Sequence, residues 1–355
     1  MAEYIHRLEP RGLIDAFVAH PPAGFDVRQT PDGAPWFITR FDLLTTMDTA
    51  ERQRVERWPG YRWWQRFLRR PACFTGTTVS EYSPLPYRET PGDYLRRVRR
   101  LAPQCALTII KDLPCHSPLL PMTDNLMAEQ LLEAAEALGF ISIAGQALAY
   151  VPIHFSCVDE YLSGLSHSRR RNLRRKLRSR TALRVEIIPT GAPCFADADW
   201  RGELYRYYLA VYQQSEIHFD LLSAAFFDQV LQDPDSNGRL FCYWYGDSLA
   251  GFNLCYIQSD MLIDKYIGLD YSLARRFNLY FVSWFVNLEY ALGQGLRYYV
   301  AGWTDPQVKA QLGASFTMTR HLVWVRNPLM RRLLRHLQHH FERDSEFVPV
   351  AGEAQ

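Results

Sequence analysis

At 355 residues the chain is too long for one ordinary core, and about two domains are expected; a hydrophobic content of 48% excludes a disordered chain. Basic and acidic residues nearly balance, 40 against 38, for a net charge of +2. Eight of the basic residues fall in one stretch, SHSRRRNLRRKLRSR (Ser166–Arg180), and the remainder carries 32 against 38, which excludes a general polyanion binder.

In chain order, RGLIDAFVAH predicts a short helix, and ERQRVERWPGYRWWQRFLRR a helix cut at Pro59-Gly60. CFTGTTVSEY predicts a strand. TPGDYLRRVRRLA predicts a helix with Thr90 as N-cap and Pro91 at its first position. CALTIIKDLP reads as a buried strand ended by Pro114. TDNLMAEQLLEAAEALGF is an amphipathic helix, with Leu126, Leu131, Leu132 and Ala135 on one face and Gly139 closing it. ISIAGQALAYVPI returns as a strand. The alternation is that of an α/β domain over residues 1–151.

A second domain is expected over 152–343, with a frayed tail at 344–355. It opens on the helical CVDEYLSGLSHSRRRNLRRKLRSR. The strand LRVEIIPTG follows, then two helices, ADWRGELYRYYLAVYQQSE and LLSAAFFDQVLQD. GRLFCYWYG, SLAGFNLCYIQSD and MLIDKYIGLDY are three strands, turned at Gly246-Asp247 and Ser259-Asp260. An apolar helix NLYFVSWFVNLEYALGQG, a strand LRYYVAGW, a short helix capped by Asp305 with Pro306 at its first position, a strand FTMTRHLVWVRN and a terminal helix PLMRRLLRHLQHHFER complete the order.

After the basic helix this order is β, α, α, β, β, β, α, β, α, β, and it resembles the GNAT acyltransferase fold. Tyr266–Ala314 is similar to the C-terminal unit of the two-domain FemAB-like and CelD-like acyltransferases. The shared features are Gly268-Leu269-Asp270 at a strand end, Gly295 after a helix, and Lys309 and Gly313 in the next helix. YLSGLSHSRRRNLRRKLRSR and VYQQSEIHFDLLSAAFFDQV resemble the helices that open that unit. The resemblance covers residues 152–328. It implies a mixed, mostly antiparallel sheet flanked by helices in two tandem GNAT-like units, the first degenerate. The chain departs from the pattern at the phosphate loop: SLARRFN (Ser272–Asn278) has no glycine.

The resemblance implies an N-acyltransferase that moves an acyl group from acyl-coenzyme A to an amine by direct attack. Its alternative is a Fem-type ligase that forms a peptide bond from aminoacyl-tRNA. For the donor it implies strand pairing by Ile267, Gly268 and Leu269. Arg275, Arg276 and Asn278 stand at a helix start, where free N–H groups and Arg side chains attract phosphate. Asp264, a carboxylate inside an apolar strand, is a candidate general base, since burial raises its pKa; strand alternation places Asp264, Tyr266 and Gly268 on one face. Glu216 and His218 in SEIHFD are further candidate bases. Lys309 and Tyr298 are candidates to steady an acceptor or oxyanion. The aromatic stretch GYRWWQRF is a candidate acceptor cleft lining.

On the basic helix, Leu162, Leu165, Leu173 and Leu177 make one stripe and arginines cover the rest. That face is a solvated surface or a contact for coenzyme A phosphate, tRNA or anionic lipid. Sequence-specific DNA reading is not expected. Seven cysteines lie singly, with no CxxC, which fits reduced thiols in a cytoplasmic protein. Cys115-His116 is not expected to be a nucleophile pair, and His339-His340 lacks metal-ligand spacing, so no metal is expected. MAEYIHRLEPRG lacks an apolar core, so no secretory signal is expected.

Overall fold

The computed structural model describes residues 4–42, 57, 61, 69–86, 89–215 and 219–336. The chain forms two compact units. Unit 1 holds Met1–Leu8, Gly24–Leu148 and Phe316–Gln355, and unit 2 holds Glu9–Ala23 and Ala149–Ser315. No helix among the described residues is long and apolar enough to cross a membrane.

In unit 1, β1 (Tyr4–Ile5) pairs with β5 (Leu85–Pro86). The larger sheet contains β2 (Asp26–Gln29), β3 (Pro35–Asp42), β4 (Arg69–Thr75), β6 (Leu107–Cys115), β7 (Ile141–Pro152) and β13 (Ser315–Val325). Its order is β2-β3-β4-β6-β13-β7. Neighbours run antiparallel in β2/β3, β3/β4 and β6/β13, whereas β4 and β6 are parallel. Helix α2 (Pro91–Leu101) begins as expected, with Pro91 at its first position and Thr90 Oγ1 accepting from the Asp93 amide at 3.2 Å. α2 and α3 (Met122–Ala137) close the core with Leu95, Val98, Ile110, Leu131, Phe140 and Trp324. Leu126 does not join that face: it is 48% exposed, and Ala128, Leu131 and Ala135 are the buried positions of α3.

Two expectations fail between β4 and β6. The strand in CFTGTTVSEY stops at Thr75, because Gly76 turns the backbone to φ +87°. The segment after it is an irregular but buried loop. Pro114 does not end β6, which runs on to Cys115.

In unit 2 the sheet order is β7-β12-β11-β10-β9-β8, with β8 (Arg184–Pro189), β9 (Gly238–Tyr245), β10 (Ser248–Gln258), β11 (Met261–Leu269) and β12 (Tyr298–Gly302). All neighbours are antiparallel except β11 and β12. Its helices are α1 (Arg11–Ala19), α4 (Val158–Ser163), α5 (His167–Leu177), α6 (Ala198–Gln214), α7 (Ala224–Gln232), α8 (Tyr271–Arg276), α9 (Leu279–Gly293) and α10 (Pro306–Leu312). The expected order is present. The single basic helix, however, is broken at Gly164–Ser166 into α4 and α5, and α8 is an addition. α11 (Pro328–His336) follows β13 in unit 1; the tail 344–355, His339-His340 and almost all of GYRWWQRF lie outside the described residues.

The division is not the single cut expected at 151/152. The chain crosses within β7, between Leu148 and Ala149, and two further segments change sides. β13 supplies the strand between β6 and β7 in unit 1. α1 packs on α7, where Gly12 allows close approach: a Cβ there would lie 2.2 Å from Asp233 Oδ2.

Candidate active site

The parallel pair β11/β12 is short. Met261, Leu262 and Ile263 face Tyr298, Tyr299 and Val300, and then the strands part. A cavity of about 70 Å³ opens at the divergence, walled by Asp264–Ile267 on one side and Ala301, Thr304 and Lys309 on the other. Asn253 of β10 and Tyr280, Ser283 and Trp284 of α9 complete the wall.

Asp264 sits at the head of this wedge. Its Oδ2 accepts from Tyr299 Oη at 2.9 Å, Asn287 Nδ2 at 3.1 Å and Asn253 Nδ2 at 3.3 Å. Its Oδ1 accepts from Asn253 Nδ2 at 3.2 Å and faces the Cys255 thiol at 3.6 Å. Removal from water raises the Asp264 pKa, while these donors and the charge of Lys309 pull the other way, without cancelling the burial effect. The Tyr299 phenol, 1% exposed beside that carboxylate, is pushed well above its ordinary value by burial.

Strict alternation on β11 does not hold. Leu254 faces Tyr266 and Cys255 faces Asp264, so Lys265 is the extra residue of a β-bulge. Asp264 therefore turns to α9 and β12. Tyr266 turns the other way and packs its ring against Tyr208 of α6 and Phe226 and Phe227 of α7. Lys265 pairs with the fully buried Glu9 at 3.2 Å.

Lys309 reaches the cavity from α10. Pro306 starts this helix; Asp305 precedes it at φ +52° but makes no side-chain cap, unlike the expected N-cap. Gly313 ends it at φ +98°, and a Cβ there would lie 2.7 Å from Leu165 Cδ2. Tyr161 Oη donates to the Leu312 carbonyl at 2.6 Å, fixing the helix end. Lys309 is consequently only 4% exposed. The Lys that sequence left between surface and site is a cavity residue. Tyr298 is not among the lining residues; its neighbour Tyr299 is.

The segment expected to cradle phosphate is not a loop. Tyr271–Arg276 is helical, and Asp270 Oδ1 caps it, accepting from the Ser272 amide at 2.8 Å and the Leu273 amide at 3.3 Å. The Ser272 hydroxyl, with these amide bonds behind it, holds the Asp270 pKa below the usual carboxylate range. Arg275 and Arg276 are exposed; Arg276 lies over the Tyr245 ring at 4.8 Å. Asn278 takes φ +51° ahead of α9 and uses its carbonyl, not its side chain, to accept from Phe281 and Val282. Ile267 lines the cavity. Gly268 is required by packing, since a Cβ would lie 2.1 Å from the Phe252 ring, and Leu269 is buried. Glu216 and His218 lie outside the described residues. Cys115 and His116 make no nucleophile pair: His116 Nδ1 meets Glu129 Oε1 at 3.0 Å. No cluster of metal-ligating side chains is present among the described residues.

Sequence reading missed Asn253, Asn287 and Tyr299. Its available signal was two asparagines inside the apolar runs SLAGFNLCYI and YFVSWFVNLEY, where an uncompensated amide is costly. On α5, Leu173 is buried while Arg169, Arg171, Arg174 and Arg175 are exposed. Arg174 pairs with Asp159.

A mixed sheet in which a parallel pair parts around a polar cavity, flanked by helices in the order seen here, defines a GNAT-type fold of the acyltransferase class. The chain belongs to the FemAB-like family: the profile of that family, described as peptidoglycan biosynthesis/recognition, matches residues 105–350. A comparison with curated proteins found no match. Solved structures share the fold. L-PGS from Bacillus licheniformis aligns with a TM-score of 0.52 at 9% identity, over 96% of this chain and 99% of that one. FemX aligns with a TM-score of 0.51 at 12% identity, over 94% and 100%. The C-terminal domain of a proposed lysylphosphatidylglycerol synthetase from Agrobacterium fabrum aligns with a TM-score of 0.52 at 12% identity, over 91% and 95%.

Proposed function

We propose that this chain is an aminoacyltransferase that uses aminoacyl-tRNA as donor and forms an amide on an amine of a cell-envelope or other small precursor. The observation that carries the choice of donor is Asp270. Its carboxylate already occupies the amides of Ser272 and Leu273, within the segment expected to take a coenzyme A pyrophosphate, and like charges repel there. The exposed arginines of α5 offer a sequence-independent contact for an RNA backbone. Family membership and the shared fold of FemX support the same reading.

In this mechanism the acceptor nitrogen attacks the ester carbonyl of the donor. Lys309 faces the carbonyl oxygen and stabilises the oxyanion, a contribution of about 3 kcal/mol for a single well-placed donor. Collapse expels the ribose oxygen, which takes up the proton lost by the attacking amine. Asp264 meets an amino group at the head of the wedge. The thioester reading has less support, because α8 replaces the glycine-bearing loop.

Transfer from charged tRNA, filter binding of RNA across a salt series, and calorimetry with acetyl-coenzyme A test the proposal together. Transfer from charged tRNA and salt-sensitive RNA binding are expected, without micromolar thioester binding. Thioester binding that Arg275→Ala/Arg276→Ala weakens would overturn it.

A further inference from the structure

The wedge pairs an anion with a cation, and both are held in place. Asp264 is gripped by uncharged donors, namely two amides, a phenol and a thiol. Lys309 lies in the wall of the same cavity. Lys265 also lines it and pairs with Glu9.

The amides leave a second mark. Asn253 and Asn287 turn their nitrogens to Asp264, and Asn253 Oδ1 and Asn287 Oδ1 are then buried with no hydrogen-bond partner. Asn253 is 2% exposed and Asn287 fully buried. The Tyr280 hydroxyl, on the cavity wall, is likewise unpartnered. Buried acceptors of this kind are costly unless something supplies N–H or O–H groups. Around a carboxylate, the group that supplies several N–H donors at once is an ammonium.

We propose that Asp264, with Asn253 at its side, is the subsite for the free α-ammonium of the aminoacyl donor. An amino-acid ester carries a cationic amine and, two carbons away, a carbonyl oxygen that becomes an oxyanion. Asp264 and Lys309 match those two charges in one cavity. A simple acyl group presents only the carbonyl and would bring no positive charge to the carboxylate. The inference rests on the aminoacyl reading above and makes it specific: Asp264 selects the donor and does not deprotonate the acceptor.

The test is transfer from three RNA donors that differ only in the acyl group: alanyl, lactyl and N-acetylalanyl. Lactyl has the size of alanyl without its charge. The native protein is expected to prefer alanyl over both by roughly 100-fold or more. Asp264→Asn, and as a second variant Asn253→Ser, should lower alanyl transfer and shrink that preference to about threefold or less for Asp264→Asn. Equal use of the three donors, or an equal loss on all three in Asp264→Asn, would overturn the proposal; the latter marks Asp264 as the base for the acceptor. A calorimetric arm separates this from the donor reading. Binding of L-alaninamide but not N-acetyl-L-alaninamide, lost in Asp264→Asn, supports the subsite even if no RNA donor is used. Failure of both arms removes the subsite.

Discussion

Each of the two units contains a parallel strand pair, and they treat its divergence in opposite ways. In unit 2, β11 and β12 part around a cavity holding Asp264 and Lys309. In unit 1, β4 and β6 pair over Ala72–Thr75 and Leu107–Ile110, and the ends beyond are laced together by the chain. Lys111 Nζ donates to the Thr77 carbonyl at 2.8 Å and pairs with Asp112. The Ser83 amide donates to the Asp112 carbonyl at 3.1 Å, and Tyr82 Oη donates to Ser117 Oγ at 2.7 Å. Thr77, Ser80, Glu81, Tyr82 and Ser83 are all buried. The same topology thus carries an open polar wedge in one unit and a stitched one in the other. A lysine stands at both, Lys309 turned to a cavity and Lys111 to its own backbone. What a divergence does depends on where the chain spends its polar groups.

Substitutions at the two lysines should separate the units most sharply. Lys309→Met is expected to lower transfer by about 100-fold or more, the loss of one oxyanion contact, with little change in unfolding temperature. Lys111→Met should do the reverse. It removes the donor to Thr77 and the partner of the buried Asp112, and should destabilise the protein by about 2 kcal/mol with turnover per folded molecule kept. Activity and denaturant titrations on both variants check this, and loss of turnover in folded Lys111→Met would break the contrast.

Gly76→Ala comes next. The position has φ +87° and its Cβ would lie 2.7 Å from Ser83 Oγ, so a cost of about 1–2 kcal/mol is expected, read as a shift in midpoint. Asp264→Asn should cost no stability at neutral pH, because burial disfavours the native carboxylate; a site kept at odds with stability is a mark of function.

The units should also differ in their response to acid. Burial lowers the pKa of His6 and His321, both in unit 1. Their neutral forms are favoured by folding, so that contribution is complete above about pH 6.5 and falls away as pH drops, when the unfolded chain takes up protons first. Asp264 has the opposite sign. Its raised pKa means that the unfolded chain loses its proton first, so its effect on stability sets in as pH rises from about 3.9. Hydrogen exchange at pH 7 and pH 5 should show unit 1 loosening first. The smallest effect is expected on α5, where Arg171→Ala should reduce the log–log salt slope of RNA binding by about 1 and weaken all RNA sequences alike.

Much of unit 2 was legible because its strands and helices have clean periods and marked ends. Gly246, Ser259, Gly295 and Gly313 stand at turns and helix ends, all at positive φ. Asp264 and Lys309 could be singled out, the first as a carboxylate in an apolar strand and the second as a lysine that the family resemblance marks. Their cavity could not, because it depends on where a parallel pairing stops. The β-bulge at Lys265 reversed the side to which Tyr266 points, and no sequence alternation records an inserted residue. The helix in Tyr271–Arg276 escaped because its cap, Asp270, also reads as the end of a strand. The buried loop after Thr75 escaped because its serines and threonines look like exposed turn residues until their partners are known.

The crossing of segments described for the fold bears on how the protein is made. The strand between β6 and β7 of unit 1 is β13, which is made after every strand of unit 2, whereas α1 of unit 2 is made before β2–β7. Unit 1 therefore cannot finish its sheet until all of unit 2 has been made, and β6 and β7 each wait with an unpaired edge. A released fragment ending at Ser315 should hold all of unit 2 but only a gapped unit 1. In limited proteolysis of that fragment, products from residues 24–148 should appear before products from 149–315.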